Sequence, residues 1–140
     1  MSEGGMRGIV VCHGLLAEGL VDAVRHITGV ADGVLIPLSN RGLSPETMAA
    51  AIRGEVGDGP AIIFTDLTAG SCGFAARRLN QQLDGISVVS GVNLPLLVHF
   101  VMHQEEPLET LLPMLVEKGR AAICSAPAKT GDHGHSAVSR

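Results

Sequence analysis

Short runs rich in β-branched residues alternate along this chain with longer stretches whose apolar positions recur every three or four residues. The first run, Arg7 to Cys12, predicts a buried strand. It stops at His13-Gly14. Leu16, Leu20, Ala23, Val24 and Ile27 then mark one face of a helix that ends near Thr28-Gly29, where glycine is a natural breaker. Val34 to Leu38 predicts a second strand, near a sheet edge because Pro37 has no N–H for a ladder. Ser44-Pro45-Glu46 reads as a helix start, with Ser44 as N-cap, Pro45 in the first position and Glu46 at the favourable end of the dipole. Met48, Ala51 and Ile52 form the expected buried face of that helix.

Gly57-Asp58-Gly59-Pro60 breaks the chain before a third strand, Ala61 to Thr65. Asp66 to Gly73 is a loop rich in small residues, and Cys72, Ala75, Ala76, Leu79 and Leu83 give the next helix its inner face. Ile86 to Ser90 is the fourth strand. Asn93 is placed to cap a helix with Leu94, Leu97, Val98 and Val101 inward. Pro107 restarts a helix carrying Leu108, Leu111, Leu112 and Leu115, which Gly119 ends. Ala121 to Cys124 is expected as a last short strand. Residues 1–6 read as a loose leader and 127–140, small, polar and rich in Gly and Pro, as a disordered tail. Strands alternating with helices predict an α/β fold over residues 1–126. It is an open, mostly parallel sheet with helices on both faces.

Composition narrows the function. At 140 residues and 46% hydrophobic, the chain has the material for one full core. Aromatic residues are 2%, with no Trp or Tyr, which argues against stacking of single-stranded nucleic acid. A net charge of -4 removes the main attraction for duplex nucleic acid. Three cysteines do not make a disulfide framework and fit a reducing cytoplasm. No apolar run reaches the roughly 18 residues of a membrane span, and Met1 to Gly5 begins no signal peptide. A cytoplasmic location is expected.

Polar chemistry gathers where strands end: His13 after the first, Asp66 after the third and Asn93 after the fourth. Ligands of open α/β sheets bind at such carboxyl ends. A neutral imidazole is nucleophilic near pH 7 and can carry a phosphoryl group, provided one ring nitrogen stays unprotonated. A carboxylate on the other nitrogen fixes tautomer and orientation, and Asp66 is the candidate. Backbone N–H groups at Gly14, Gly70 and Ser71, with the Ser71 hydroxyl, are candidates to bind the phosphoryl group. Taken singly, His13 also reads as a packing or solvated residue, Asp66 as a turn residue, and Ser71 and Asn93 as caps. His99 and His103 have the i, i+4 spacing of metal ligands, but no third ligand is near and a surface or partner-facing role is expected. His133 and His135 fall in the tail. Cys12 adjoins His13, yet strand alternation turns the two side chains to opposite faces. Phosphate-loop and dinucleotide fingerprints are lacking, and no cofactor or metal is assigned.

Gly8 to Leu20, with its Cys-His-Gly and Ala-Glu-Gly-Leu, resembles the phosphorylation segment of the mannose-type IIA components of the bacterial phosphoenolpyruvate-dependent sugar phosphotransferase system. Thr65 to Ser71 resembles that family's Asp-Leu-x-Gly-Gly-Ser-Pro loop, and Ser90 to Leu97 its Gly-x-Asn-Leu-Pro-Met segment. The likeness spans Arg7 to Cys124. It implies that His13 accepts a phosphoryl group from the phosphohistidine carrier HPr and gives it to a IIB component that works with membrane IIC and IID components. It also implies that Asp66 bonds the imidazole and that Ser71 lies beside the phosphoryl group. A homodimer is implied in which a C-terminal strand, here Ala121 to Cys124, is exchanged antiparallel at the sheet edge. Cys12 stands where the family has serine before its histidine, and two further departures fall in the loop after Asp66. Ala69 replaces a glycine and is less able to take a positive φ, and Cys72 replaces the proline that would start the helix. A stand-alone IIA is expected. The alternatives are a regulatory IIA-like module and the phosphocarrier of dihydroxyacetone kinase.

Overall fold

The computed structural model describes residues 6–130. Most of the expected leader, the end of the tail, and His133 and His135 lie outside the described residues. The elements in order are β1 (Arg7–Cys12), α1 (Leu16–Thr28), β2 (Leu35–Ser39), α2 (Pro45–Val56), β3 (Ala61–Thr65), α3 (Gly70–Gln82), β4 (Ile86–Ser90), α4 (Leu94–Met102) and α5 (Leu108–Ala121). The strands form one parallel sheet in the order β2-β1-β3-β4. Pro37 lies on the edge strand β2, as its missing N–H requires.

Strand alternation divides the core into two layers. Val10, Cys12, Leu35, Ile62, Phe64 and Val89 face α1, α4 and α5. Ile9, Val11, Ala61, Ile63 and Ile86 face α2 and α3. β1 and β3 are buried on both faces, so they read as unbroken apolar runs. Gly8 lets the first layer close: a Cβ there would stand 2.8 Å from both Leu35 and Phe64. In that space Phe64 meets Phe100 edge to face, with ring centroids 5.2 Å apart.

Local signals set the helix ends. Ser44 caps α2, accepting from Thr47 N–H while the Thr47 hydroxyl accepts from Ser44 N–H. Asn93 caps α4 through Leu96 N–H, and Gly29 closes α1 in the left-handed region at φ 70°.

Two expectations are corrected. The buried stripe of α1 is Ala17, Val21 and Val24, while Leu16 and Ile27 are exposed. The helix is apolar around more than half its girth, so period alone leaves its rotation open. Ala121 to Cys124 forms no strand within the chain: α5 runs past Gly119 to Ala121, and residues 122–130 follow without pairing. Gly119 fails as a breaker because it is buried against Leu96 of α4, where it serves close helix contact.

Replacing Phe64 with Ala empties the centre of the larger layer. It should lower the unfolding free energy by about 3–5 kcal/mol. Ser44→Ala should cost only about 1 kcal/mol. Urea denaturation of the two variants checks the contrast.

Candidate functional site

The sheet order reverses between β1 and β3. From β1 the chain first adds β2 on one side, then crosses to place β3 on the other. The helices that follow β1 and β3 therefore leave on opposite faces and open a crevice at the carboxyl ends of these strands. Val11 and Thr65 are register partners, so His13 and Asp66 emerge side by side.

The Asp66 carboxylate organises the crevice. Its Oδ2 accepts from the His13 backbone N–H and lies 2.9 Å from His13 Nδ1; its Oδ1 accepts from Leu67 N–H at 2.9 Å. A carboxylate only accepts, so Nδ1 carries the proton and Nε2 keeps its lone pair. Burial works against the Asp66 charge. The bonds from the His13 backbone and ring and from Leu67 N–H outweigh it and hold the carboxyl below its ordinary range. The imidazole stays 42% exposed while Asp66 is 11% exposed. The brace is thus sheltered and the ring open to solvent.

Glycine geometry completes the pocket. Gly70 has φ +93°, and its α-carbon approaches so closely that a Cβ would touch His13 Nε2 at 3.7 Å. Gly70 is also the first residue of α3, whose N-cap Ala69 makes no side-chain cap bond. The first amides of that helix therefore have no intrahelical or side-chain cap acceptor. Ser71 is half-buried in this first turn. Gly14 has φ 61°, and its N–H is engaged by Asn40 Oδ1 at 3.1 Å, unlike the free donor expected there. Asn93 does not join the group: it is spent on Leu96 N–H and on the Gly119 carbonyl at 3.0 Å, binding α4 to α5.

Ala69 carries no strain, since its φ is -99° and the positive φ falls on Gly70. Cys12 is fully buried, and burial together with the negative charges at Asp66 and Cys72 pushes its thiol up to about 12. It is no nucleophile. Cys72, expected from its period as a core residue, is buried, but its sulfur also lies 3.9 Å from His13 Nδ1. Burial and the Asp66 charge raise this thiol as well. His13, Asp66 and Cys72 bring a nitrogen, an oxygen and a sulfur within 4.8 Å of one another. Reading α3 only by its period hid that contact, because the first turn of α3 lies against the end of β1. Asn40 was missed too; its signal is its place at the end of β2, the strand beside β1. His99 turns inward, with Nε2 buried and without a partner, and its ring stacks on His103 at 4.0 Å. Burial, then His103 and Lys118, lower the His99 pKa.

Around the crevice, Leu15 (60% exposed), Leu16, Leu67 (57%) and Phe74 stand in solvent. All four follow directly on the loops or first turns that carry His13 and Asp66.

The family model described as PTS system fructose IIA component matches residues 8–112, which contain every residue of this crevice. The chain belongs to that family. As a IIA-family protein it takes part in a sugar phosphotransferase system and in phosphotransfer. Solved structures with the same fold include three from the same system. One is the phosphotransferase system component EIIA from Streptococcus agalactiae (23% identity, 86% of this chain and 96% of that one, TM-score 0.80). A second is the mannose/sorbose specific IIA subunit from Enterococcus faecalis (24%, 89% and 96%, TM-score 0.75). The third is the PTS IIA protein associated with the fucose utilization operon from Streptococcus pneumoniae (21%, 89% and 96%, TM-score 0.77). No curated protein matches the chain. Among the described residues, no helix is long and apolar enough to cross a membrane.

Because the Asp66 carboxyl is held low in the folded chain, its stabilising effect is complete above its ordinary value, about pH 4, and is lost as pH falls through the folded value. The stability difference between the natural chain and Asp66→Asn, measured by urea denaturation, should stay constant from pH 7 to about 5 and shrink below about pH 4.

Proposed function

We propose that this IIA-family chain is a cytoplasmic phosphocarrier that takes a phosphoryl group from phospho-HPr onto His13 Nε2 and passes it to a IIB component. The observation that carries this reading is the Asp66 bond to His13 Nδ1. It leaves Nε2 as the free nucleophile, aimed at the first turn of α3.

In the transfer, Nε2 attacks phosphorus in line, a new N–P bond forms, and the N–P bond to the donor histidine breaks. His13 gains imidazolium character, which Asp66 stabilises without taking the proton. The transferring oxygens meet the amides of Gly70, Ser71 and Cys72 at the positive end of α3, with the Ser71 hydroxyl beside them. Positioning and charge do the work, as phosphoryl transfer requires. The same steps in reverse deliver the group to IIB. The exposed Leu15, Leu16, Leu67 and Phe74 support a protein partner, since a flat apolar rim around a solvent-facing imidazole suits a docked carrier face.

The outer edge of β4 bears no partner strand among the described residues, and a groove of about 250 Å³ lined by Val89, Ser90, Asn93, Leu96 and Ile123 lies beside it. This supports a homodimer in which the segment after α5 pairs with the other subunit's β4. The domain then comprises residues 1–126.

Incubation with phosphoenolpyruvate, enzyme I and HPr should add one acid-labile phosphate to the intact mass. His13→Ala should add none. Asp66→Asn should slow the addition by about 10²-fold. An adduct that survives His13→Ala would refute the assignment. Deleting residues 122–140 should convert a dimer to a monomer in sedimentation velocity.

A further inference from the structure

Cys72 is the one reactive group of the crevice that phosphotransfer leaves idle. The resembled family motif has proline here, which offers no donor atom. In this chain a thiol sits 3.9 Å from His13 Nδ1, and that nitrogen sits 2.9 Å from Asp66 Oδ2. The three donor atoms all lie within 4.8 Å of one another. Around a tetrahedral zinc ion, bound N, O and S atoms stand about 3.3–3.6 Å apart, given the usual metal–ligand distances. The separations of 2.9 and 3.9 Å fall on either side of that range, and the third is no more than 4.8 Å, so shifts of about an ångström bring the three atoms to it.

We propose that His13 Nδ1, the Asp66 carboxylate and Cys72 Sγ form a binding site for a borderline-soft divalent metal, zinc foremost, and that metal and phosphoryl group exclude each other on His13. The donor set carries the choice of ion. Mixed N, O and S ligands suit zinc, whereas magnesium and calcium require oxygen. Asp66 and Cys72 come from the loop and first turn after β3, and His13 from the end of β1, so the sheet holds the ligands in place before an ion arrives.

The binding step balances as follows. The Nδ1 proton moves to Nε2, the Cys72 proton leaves to solvent, and Nδ1, a carboxylate oxygen and the thiolate bind the ion. Nε2, the nitrogen that must attack phosphorus, is thereby protonated and blocked. Conversely, in a His13 phosphorylated on Nε2 the Nδ1–H that donates to Asp66 occupies the position the metal needs. This exclusion rests on the phosphocarrier reading; the metal site itself does not.

Cobalt(II) alone, titrated anaerobically into the full reduced chain, reports the thiolate directly through its near-ultraviolet charge-transfer band. The band is expected at one equivalent, displaced by zinc. It should be lost in Cys72→Ser and Cys72→Ala, lost or shifted in His13→Asn, and kept in Cys124→Ser and in a chain cut after Thr130. Zinc affinity should fall by about tenfold or more in Cys72→Ser. Thermal melts confirm that the Cys72 variants fold; the surface variant His13→Asn gives an independent test if they do not. A band that persists without Cys72, that needs Cys124 or the tail, or that is absent from the natural chain overturns the site. In a second arm, desalted phospho-HPr is added with and without one equivalent of zinc, and each protein is compared with itself. Zinc should suppress the phosphate adduct of the natural chain and leave that of Cys72→Ser largely unsuppressed. Equal suppression in both overturns the exclusion. A natural chain that takes no phosphate even without zinc overturns the phosphocarrier reading and the exclusion with it, while the cobalt band still decides the metal site.

Discussion

The contact on which the crevice depends is the pairing of one carboxylate with both the backbone and the ring of His13. Asp66 accepts from His13 N–H and Nδ1–H and from its neighbour Leu67 N–H. The two bonds from His13 tie the end of β1 to the loop after β3. They fix the ring's tautomer and keep the carboxyl charged despite its shelter. No part of this works unless β1 and β3 are parallel neighbours in register, and these are the two strands buried on both faces.

The surroundings serve that contact in different ways. On one face, Phe64 and Phe100 close over Gly8 and lock β1 against α1, α4 and α5. On the other, α2 and α3 pack on Ile9, Val11 and Ile63 and bring the first turn of α3 to the imidazole. The loop between β3 and α3 is held by the Arg77 guanidinium on the Thr68 carbonyl. Gly73 holds it too, since a Cβ there would lie 2.9 Å from the Thr68 carbonyl carbon. A helix with no side-chain cap is normally a local weakness. Here the uncapped first turn of α3 lies beside the His13 ring.

The two departures from the family pattern in the loop after Asp66 have unequal consequences. Ala69 replaces glycine at no conformational cost, because the chain bends at Gly70 instead. Cys72 replaces a residue without a donor by one whose sulfur points at the reactive ring. The second change brings a donor atom into the crevice while leaving the His13–Asp66 brace in place.

Much of this protein was legible in its order of residues, because the signals are local. The apolar runs of β1 and β3, Pro37 on an edge, Ser44 and Asn93 as caps, and His13 and Asp66 at strand ends each follow from a few neighbouring side chains. The rotation of α1 did not, because a girth more than half apolar fits several faces and only packing in the layer with Val10 and Phe64 selects Ala17, Val21 and Val24. Gly119 read as a stop, yet burial against Leu96 carries the helix on to Ala121. Asn93 read as part of the site, and Cys72 and Asn40 did not, because their partners are 26 or more positions away in the chain. Periodicity records which face a residue occupies within its own element. Which distant atom that face meets is decided by the sheet order, and only the folded chain contains it.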